Sequence, residues 1–337
     1  MINMKAAKKK ATMAVGMILG VTMLAGAAFA SYTTMGGYEA GKTAFKGLAD
    51  NENYTANSEI KLTVDGKEIA KASTEELYDR DGDVKLSRKD VSDSYVDYIS
   101  PVGRSESETY VQDNTSISIY TNKDGKKAST VYDGKAYFRK GAFNILGDAG
   151  EKDKESSAKI IRFAELLCDT LVGDLKNNIV YVSGDDNTST YEINLDAVQI
   201  PELANAGLEA MFTSVSRFDT DDPFMILGSS PIVKNASLRF SVDSQNRLTE
   251  GKANVTLSGS DASGENHEAS VDIAVTMSDY GTTTPRRVDV STLPNPRKYH
   301  VTSSEDGSYM ISELVDEDGN VIGYTSDGDV EINEVND

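Results

Sequence analysis

The chain has 337 residues, with 34 Lys and Arg against 54 Asp and Glu, a net charge of -20, and a hydrophobic share of 39%. Such an acidic chain repels phosphate backbones, so nucleic-acid binding is disfavoured, while the apolar fraction is enough for a folded body. A single cysteine, Cys168, excludes an intrachain disulfide framework and any multi-cysteine zinc site.

Residues 1–30 read as a targeting segment. Lys5, Lys8, Lys9 and Lys10 precede the uncharged run Ala11 to Ala30, which ends Ala28-Phe29-Ala30. This is the order of a secretory signal: charged start, apolar centre, small-residue cleavage site. An uncleaved anchor is the alternative, because a 20-residue helix spans about 30 Å, the thickness of the hydrocarbon layer. On either reading the remainder is extracytoplasmic, secreted or held on the outer face of the cell membrane. Ser31 follows the small-residue site, so a lipid anchor on cysteine is excluded there.

Gly37 to Leu48 has a short helical rhythm, with Tyr38, Ala44, Phe45 and Leu48 able to share a face. From Ser58 to Arg139 apolar and polar residues alternate, as in strands with one wet face. Asp65-Gly66, Asp81-Gly82, Asp124-Gly125 and Asp133-Gly134 supply hairpin turns, which predicts an antiparallel meander. Ser156 to Lys176 then has the strongest helical period, with Ile160, Phe163, Leu167 and Leu171 on one face. Short strands at 179–183 and 190–195 lead to a second helix after Pro201, carrying Leu208, Met211 and Phe212. Three strands follow, at 236–242, 251–258 and 269–278. Residues 285–300 hold three prolines and read as a linker; 301–337, with eleven acids and no Lys or Arg, reads as an acidic hairpin or tail.

This order of elements over Gly37 to Thr284 resembles the extracytoplasmic lipoprotein-carrier superfamily of the LolA and LppX type. The run from Asn235 through Val271-Asp-Ile-Ala-Val-Thr-Met-Ser-Asp-Tyr-Gly281 is its most characteristic stretch. The resemblance implies an α+β fold for residues 31–284: a strongly curved antiparallel sheet, an open half-barrel, packed against two or three helices. It also implies a cavity for a lipid or another apolar ligand, which Ile160, Phe163, Leu167, Leu171, Leu208, Met211 and Phe212 would bound. A membrane-tethered sensor or structural domain without a small ligand is the alternative.

No spelling of catalytic residues meets its structural context, so no enzyme activity is expected and no cofactor is implied. Gly36 to Thr43 spells a phosphate loop, but no strand precedes it. Ser156 and Lys159 have the spacing of a serine nucleophile and lysine base, but their companion motifs are missing. Asp79, Asp81, Asp83 and Asp90 match several calcium-loop positions; Val84 stands where that loop needs glycine, and solvated acids at a hairpin tip are the plainer reading. His267 and His300 read as surface residues.

Overall fold

The computed structural model describes residues 37–95, 103–134, 179–185, 187–200, 205, 226–228, 231–293, 296–303, 310–316 and 319–326. Helix α1 (Gly37–Asp50) opens the described chain. Six strands follow: β1 (Asn53–Val64), β2 (Lys67–Asp79), β3 (Val84–Ser94), β4 (Gly103–Gln112), β5 (Thr115–Thr121) and β6 (Lys127–Gly134). Next come β7 (Val180–Gly184), β8 (Thr188–Asp196), β9 (Ile232–Asp243), β10 (Leu248–Ser260) and β11 (Asn266–Ser278). The last three are β12 (Arg297–Ser303), β13 (Met310–Val315) and β14 (Val321–Ser326).

All fourteen form one sheet, in the order β14-β13-β12-β6-β5-β4-β3-β2-β1-β11-β10-β9-β8-β7. Neighbours are antiparallel except β6 and β12, which run parallel through Arg297↔Thr130 to Val301↔Gly134. This overturns the expected α+β half-barrel with two or three helices on an antiparallel sheet. The described residues contain one α-helix, and their sheet is mixed and extends through the acidic C-terminal strands. The physical reason is the crossover after β11. It carries the chain from the end of β11, an interior strand, across to β6, where β12 enters in the same direction and offers its polar groups to the β6 edge. The expected helices at 156–176 and after Pro201 lie outside the described residues, with the exception of Asn205.

Alternation sorts side chains onto two faces. On the inner face of β8–β11 and β1, cross-strand partners such as Ile193↔Leu238, Ala253↔Ile273 and Leu62↔Val271 are apolar. Helix α1 lies against β9 and β10, burying Ala40, Ala44 and Leu48, which recur at four-residue steps. Gly37 permits this approach: a Cβ there would come within 2.5 Å of Ile179 Cγ2 and 2.8 Å of Tyr191 Cδ1. Phe240 stacks on Tyr191 at 5.3 Å and anchors the middle of this core.

Beyond β4 the buried side changes. Ile117, Ile119 and Val131, on the other face, form a second, smaller core with Val288, Val290 and Leu293 from the crossover. The Gln112 amide fixes that crossover at two points, donating to the Val288 carbonyl at 2.7 Å and accepting from its N–H at 2.9 Å. Arg286 N–H donates to Ser87 Oγ, and the Arg286 and Arg287 guanidiniums pair with Glu75 and Asp113. Proline-bearing extended backbone suits this lay-down, since it leaves donors and acceptors free for side-chain partners rather than a ladder.

Candidate functional site

The expected apolar-cavity residues Ile160, Phe163, Leu167, Leu171, Leu208, Met211 and Phe212 all lie outside the described residues. What is described is the sheet surface they were expected to cover. Around the α1-covered core, the inner face continues as a band of Ile60, Leu62, Val64, Ala253, Ile273 and Val275, each only half-buried. Gly251, in register with Phe240 and Val275, leaves open space at this level: a Cβ there would meet nothing within 4 Å.

The outer face of the same strands is different. A groove of about 370 Å³ runs over β8–β11 and β1, lined by Glu59, Lys61, Glu192, Arg239, Asn254 and Asp272 among others. Its charges are matched locally: Lys61 with Asp272 at 3.4 Å, Arg239 with Glu192 at 3.4 Å, and Asn254 donating to Asp272 at 2.8 Å. Such a surface favours water over hydrocarbon, because ionic groups lose hydration when apolar matter covers them. The two faces therefore differ in what they can bind.

The inner face also carries a buried polar cluster on β1–β3. Tyr54 donates to Glu76 at 2.7 Å, and both side chains are almost wholly buried. Arg88 stands 3.7 Å from Glu76 and pairs with Asp90, which also accepts from Thr74 at 2.6 Å. Burial, with Glu76 beside it, pushes the Tyr54 hydroxyl above its ordinary value. The cluster is saturated with internal bonds and has the character of structural polar packing.

Of the calcium-like acids, Asp79, Asp81 and Asp83 gather at the β2–β3 turn and Asp90 lies apart from them. Asp79 ends β2, and Asp81 and Asp83 lie in the turn to β3, where Asp81 N–H donates to Asp79 Oδ1. Asp90 sits within β3, held by Arg88 and Thr74. Arg80 adds a cation to the turn, 2.7 Å from Glu52 and 3.7 Å from Asp81. The phosphate-loop spelling is answered directly, since Gly41, Lys42 and Thr43 lie inside α1 rather than in a loop. Ser156, Lys159 and Cys168 lie outside the described residues. His300 is exposed on β12.

His267 differs from the sequence reading. It begins β11 beside the β10–β11 turn, and its ring lies against Asp65 of the β1–β2 turn, Nδ1 to Oδ2 at 2.8 Å. That hydrogen bond, with the carboxyls of Asp65, Asp261 and Glu265 around it, holds the imidazole above its ordinary pKa. Asp65 is held below the usual carboxylate range by the Glu268 N–H and then by His267. Asp65 and His267 are 202 positions apart, so no local spacing signals their meeting.

No family model matches the chain, and no curated protein does. Among solved structures, a DUF1329 family protein from Desulfovibrio piger is similar at 8% identity and a TM-score of 0.18, over 72% of this chain and 90% of that one. A LolA superfamily protein from Nitrosomonas europaea is similar at 10% identity and a TM-score of 0.15, over 75% and 97% of the two chains. The structural similarity to these two families is therefore weak. At that level it assigns neither ligand nor location.

Proposed function

We propose that this is an exported, non-catalytic binding protein that takes an apolar ligand, of the lipid class, on the inner face of its sheet. The observation that carries the reading is the half-buried band Ile60, Leu62, Val64, Ala253, Ile273 and Val275, continuous with a core that α1 covers only in part. Apolar area on that band gains about 25 cal/mol per Å² when a ligand removes it from water. The outer groove is a poor competitor for such a ligand because its charges are paired and hydrated. Export rests on the lysines and apolar run of residues 5–30.

Native mass spectrometry of the protein incubated with membrane extract tests this. Retained lipid is expected, and Val275→Asp, which places a charge in the band, is expected to lose it. Absence of any retained lipid, or equal retention by the variant, overturns the reading. The 20-residue uncharged run 11–30 favours a second reading, a membrane-tethered sensor or structural domain whose band is packed within the protein. N-terminal sequencing of the native protein separates tether from secretion, because a start at Ser31 removes the tether.

A further inference from the structure

The β1–β2 and β10–β11 turns lie side by side at one end of the sheet, and four ionisable side chains meet there. We propose that His267, Asp261 and Glu265 form a binding site for a divalent transition-metal ion of the zinc class, with Asp65 as the positioning residue behind the imidazole.

The His267 ring lies between Asp65 and Asp261. Its side chain is 11% exposed, and its Nε2 is buried without a hydrogen-bond partner. A buried polar atom left without a partner is costly, and in native structures it calls for an explanation such as an ion. On the other side of the ring, Nδ1 lies 2.8 Å from Asp65 Oδ2. An ionised carboxylate only accepts, so Nδ1 donates, and the metal-binding tautomer leaves its lone pair on Nε2. Asp65 is itself fixed, because its Oδ1 accepts from Glu268 N–H at 2.9 Å and its own N–H donates to the Glu268 carbonyl at 2.8 Å. A carboxylate behind a histidine is the usual support for a metal-ligating imidazole.

The facing oxygens are supplied by the β10–β11 turn. Asp261 Oδ1 accepts from Ser263 N–H, Ser263 Oγ and Glu265 N–H at 2.7–2.9 Å, which orients the carboxyl and leaves Oδ2 directed at His267 Nε2, 3.7 Å away. Tetrahedral ligands at zinc distances are about 3.4 Å from one another, so this pair needs little movement. Gly264, at φ +84°, turns the chain so that Glu265 comes back over Asp261. One donor atom from each of Asp261, Glu265 and His267 then lies within 4.8 Å of the others. Glu265 is exposed and can close the remaining gap by side-chain rotation. One imidazole nitrogen with two carboxylate oxygens is a borderline donor set that suits zinc and leaves a position for water, whereas calcium and magnesium prefer oxygen alone.

The competing arrangement is an imidazolium held between carboxylates with no metal affinity. Calorimetric titration of the untagged, metal-stripped full chain with zinc chloride distinguishes them. The expected result is zinc binding that weakens by about tenfold or more in His267→Ala and in Glu265→Gln, and by roughly 10–100-fold in Asp65→Asn, which keeps all three ligands. His300→Ala, at the other histidine, is expected to bind as the parent does. Nitrogen-15 spectra of the imidazoles should show the His267 Nε2 resonance moving with zinc. Absence of zinc binding, unchanged binding in His267→Ala or Glu265→Gln, or a ring shift confined to His300 overturns the proposal. Glu265→Gln changes an exposed turn side chain, so it carries the test should His267→Ala fail to fold.

Discussion

Tyr54 and Glu76 place a phenol and a carboxyl on the inner face where alternation calls for hydrocarbon, and each resolves the other's burial. The Tyr54 ring also packs on Tyr78 at 5.4 Å, so the residue contributes both hydrocarbon and a donor. Tyr54→Phe keeps the ring and deletes only the bond to Glu76, and losing a donor to a buried acidic group costs about 2 kcal/mol. An unfolding free energy lowered by that amount, read as a lower urea midpoint with an unchanged slope, is the expected result. Tyr280 gives a pH signature. Its hydroxyl donates to the Leu248 carbonyl at 2.6 Å, Arg247 sits 4.5 Å over its ring, and burial pushes its pKa up to about 12. The unfolded phenol ionises near pH 10, so the unfolded chain releases its proton first as pH rises. The stability contributed by neutral Tyr280 is thus complete below about pH 10 and is lost towards pH 12. Alkaline unfolding followed by urea midpoints should therefore show a shallower decline in Tyr280→Phe than in the parent.

Within single elements, β10 separates two kinds of glycine. Gly259 lies under the chain at Leu227, where a Cβ would come within 2.0 Å of the Leu227 carbonyl oxygen, a backbone atom that cannot rotate aside. Gly251 on the same strand has open space. Gly259→Ala is expected to destabilise by about 1–3 kcal/mol through overpacking. Gly251→Ala is expected to be neutral or to stabilise by up to about 1 kcal/mol, because it lowers the freedom of the unfolded strand. Thermal melts of both variants check the contrast. The same strands show what a sequence can express. Val271, Ile273, Val275 and Met277 alternate without interruption and form β11, and Asp65-Gly66 takes the two positive φ angles, +48° and +74°, of a tight hairpin. Asp133-Gly134 has the same spelling but lies in β6, paired with His300 and Val301, because an available strand edge outweighs a local turn preference. At the His267 site only the Asp65 support leaves no local trace, since the β1–β2 turn meets the β10–β11 turn through the β1–β11 pairing, whereas Asp261, Glu265 and His267 lie within seven residues.

Across the molecule, two apolar cores lie on opposite faces of one sheet, and the crossover between β11 and β12 determines the second. Proline spacing specifies an extended backbone there but says nothing of its neighbours, so the packing of Val288, Val290 and Leu293 against Ile117 and Val131 was not legible from composition. The parallel β6–β12 pairing follows from it, because the Gln112 clamp on Val288 directs the chain back along β6. Among the described residues, the larger core under α1 shares no buried residue with this smaller one. Leu293→Asp should consequently act regionally. Burying a carboxylate beside Ile117 is costly, so the crossover is expected to detach and take β12–β14 with it. Hydrogen exchange read by mass spectrometry would then show protection falling in β5, β6 and β12 while β9–β11 keep theirs. A uniform fall across all of these strands would mean that the two cores unfold as one cooperative unit, and that the sheet, rather than its faces, transmits stability.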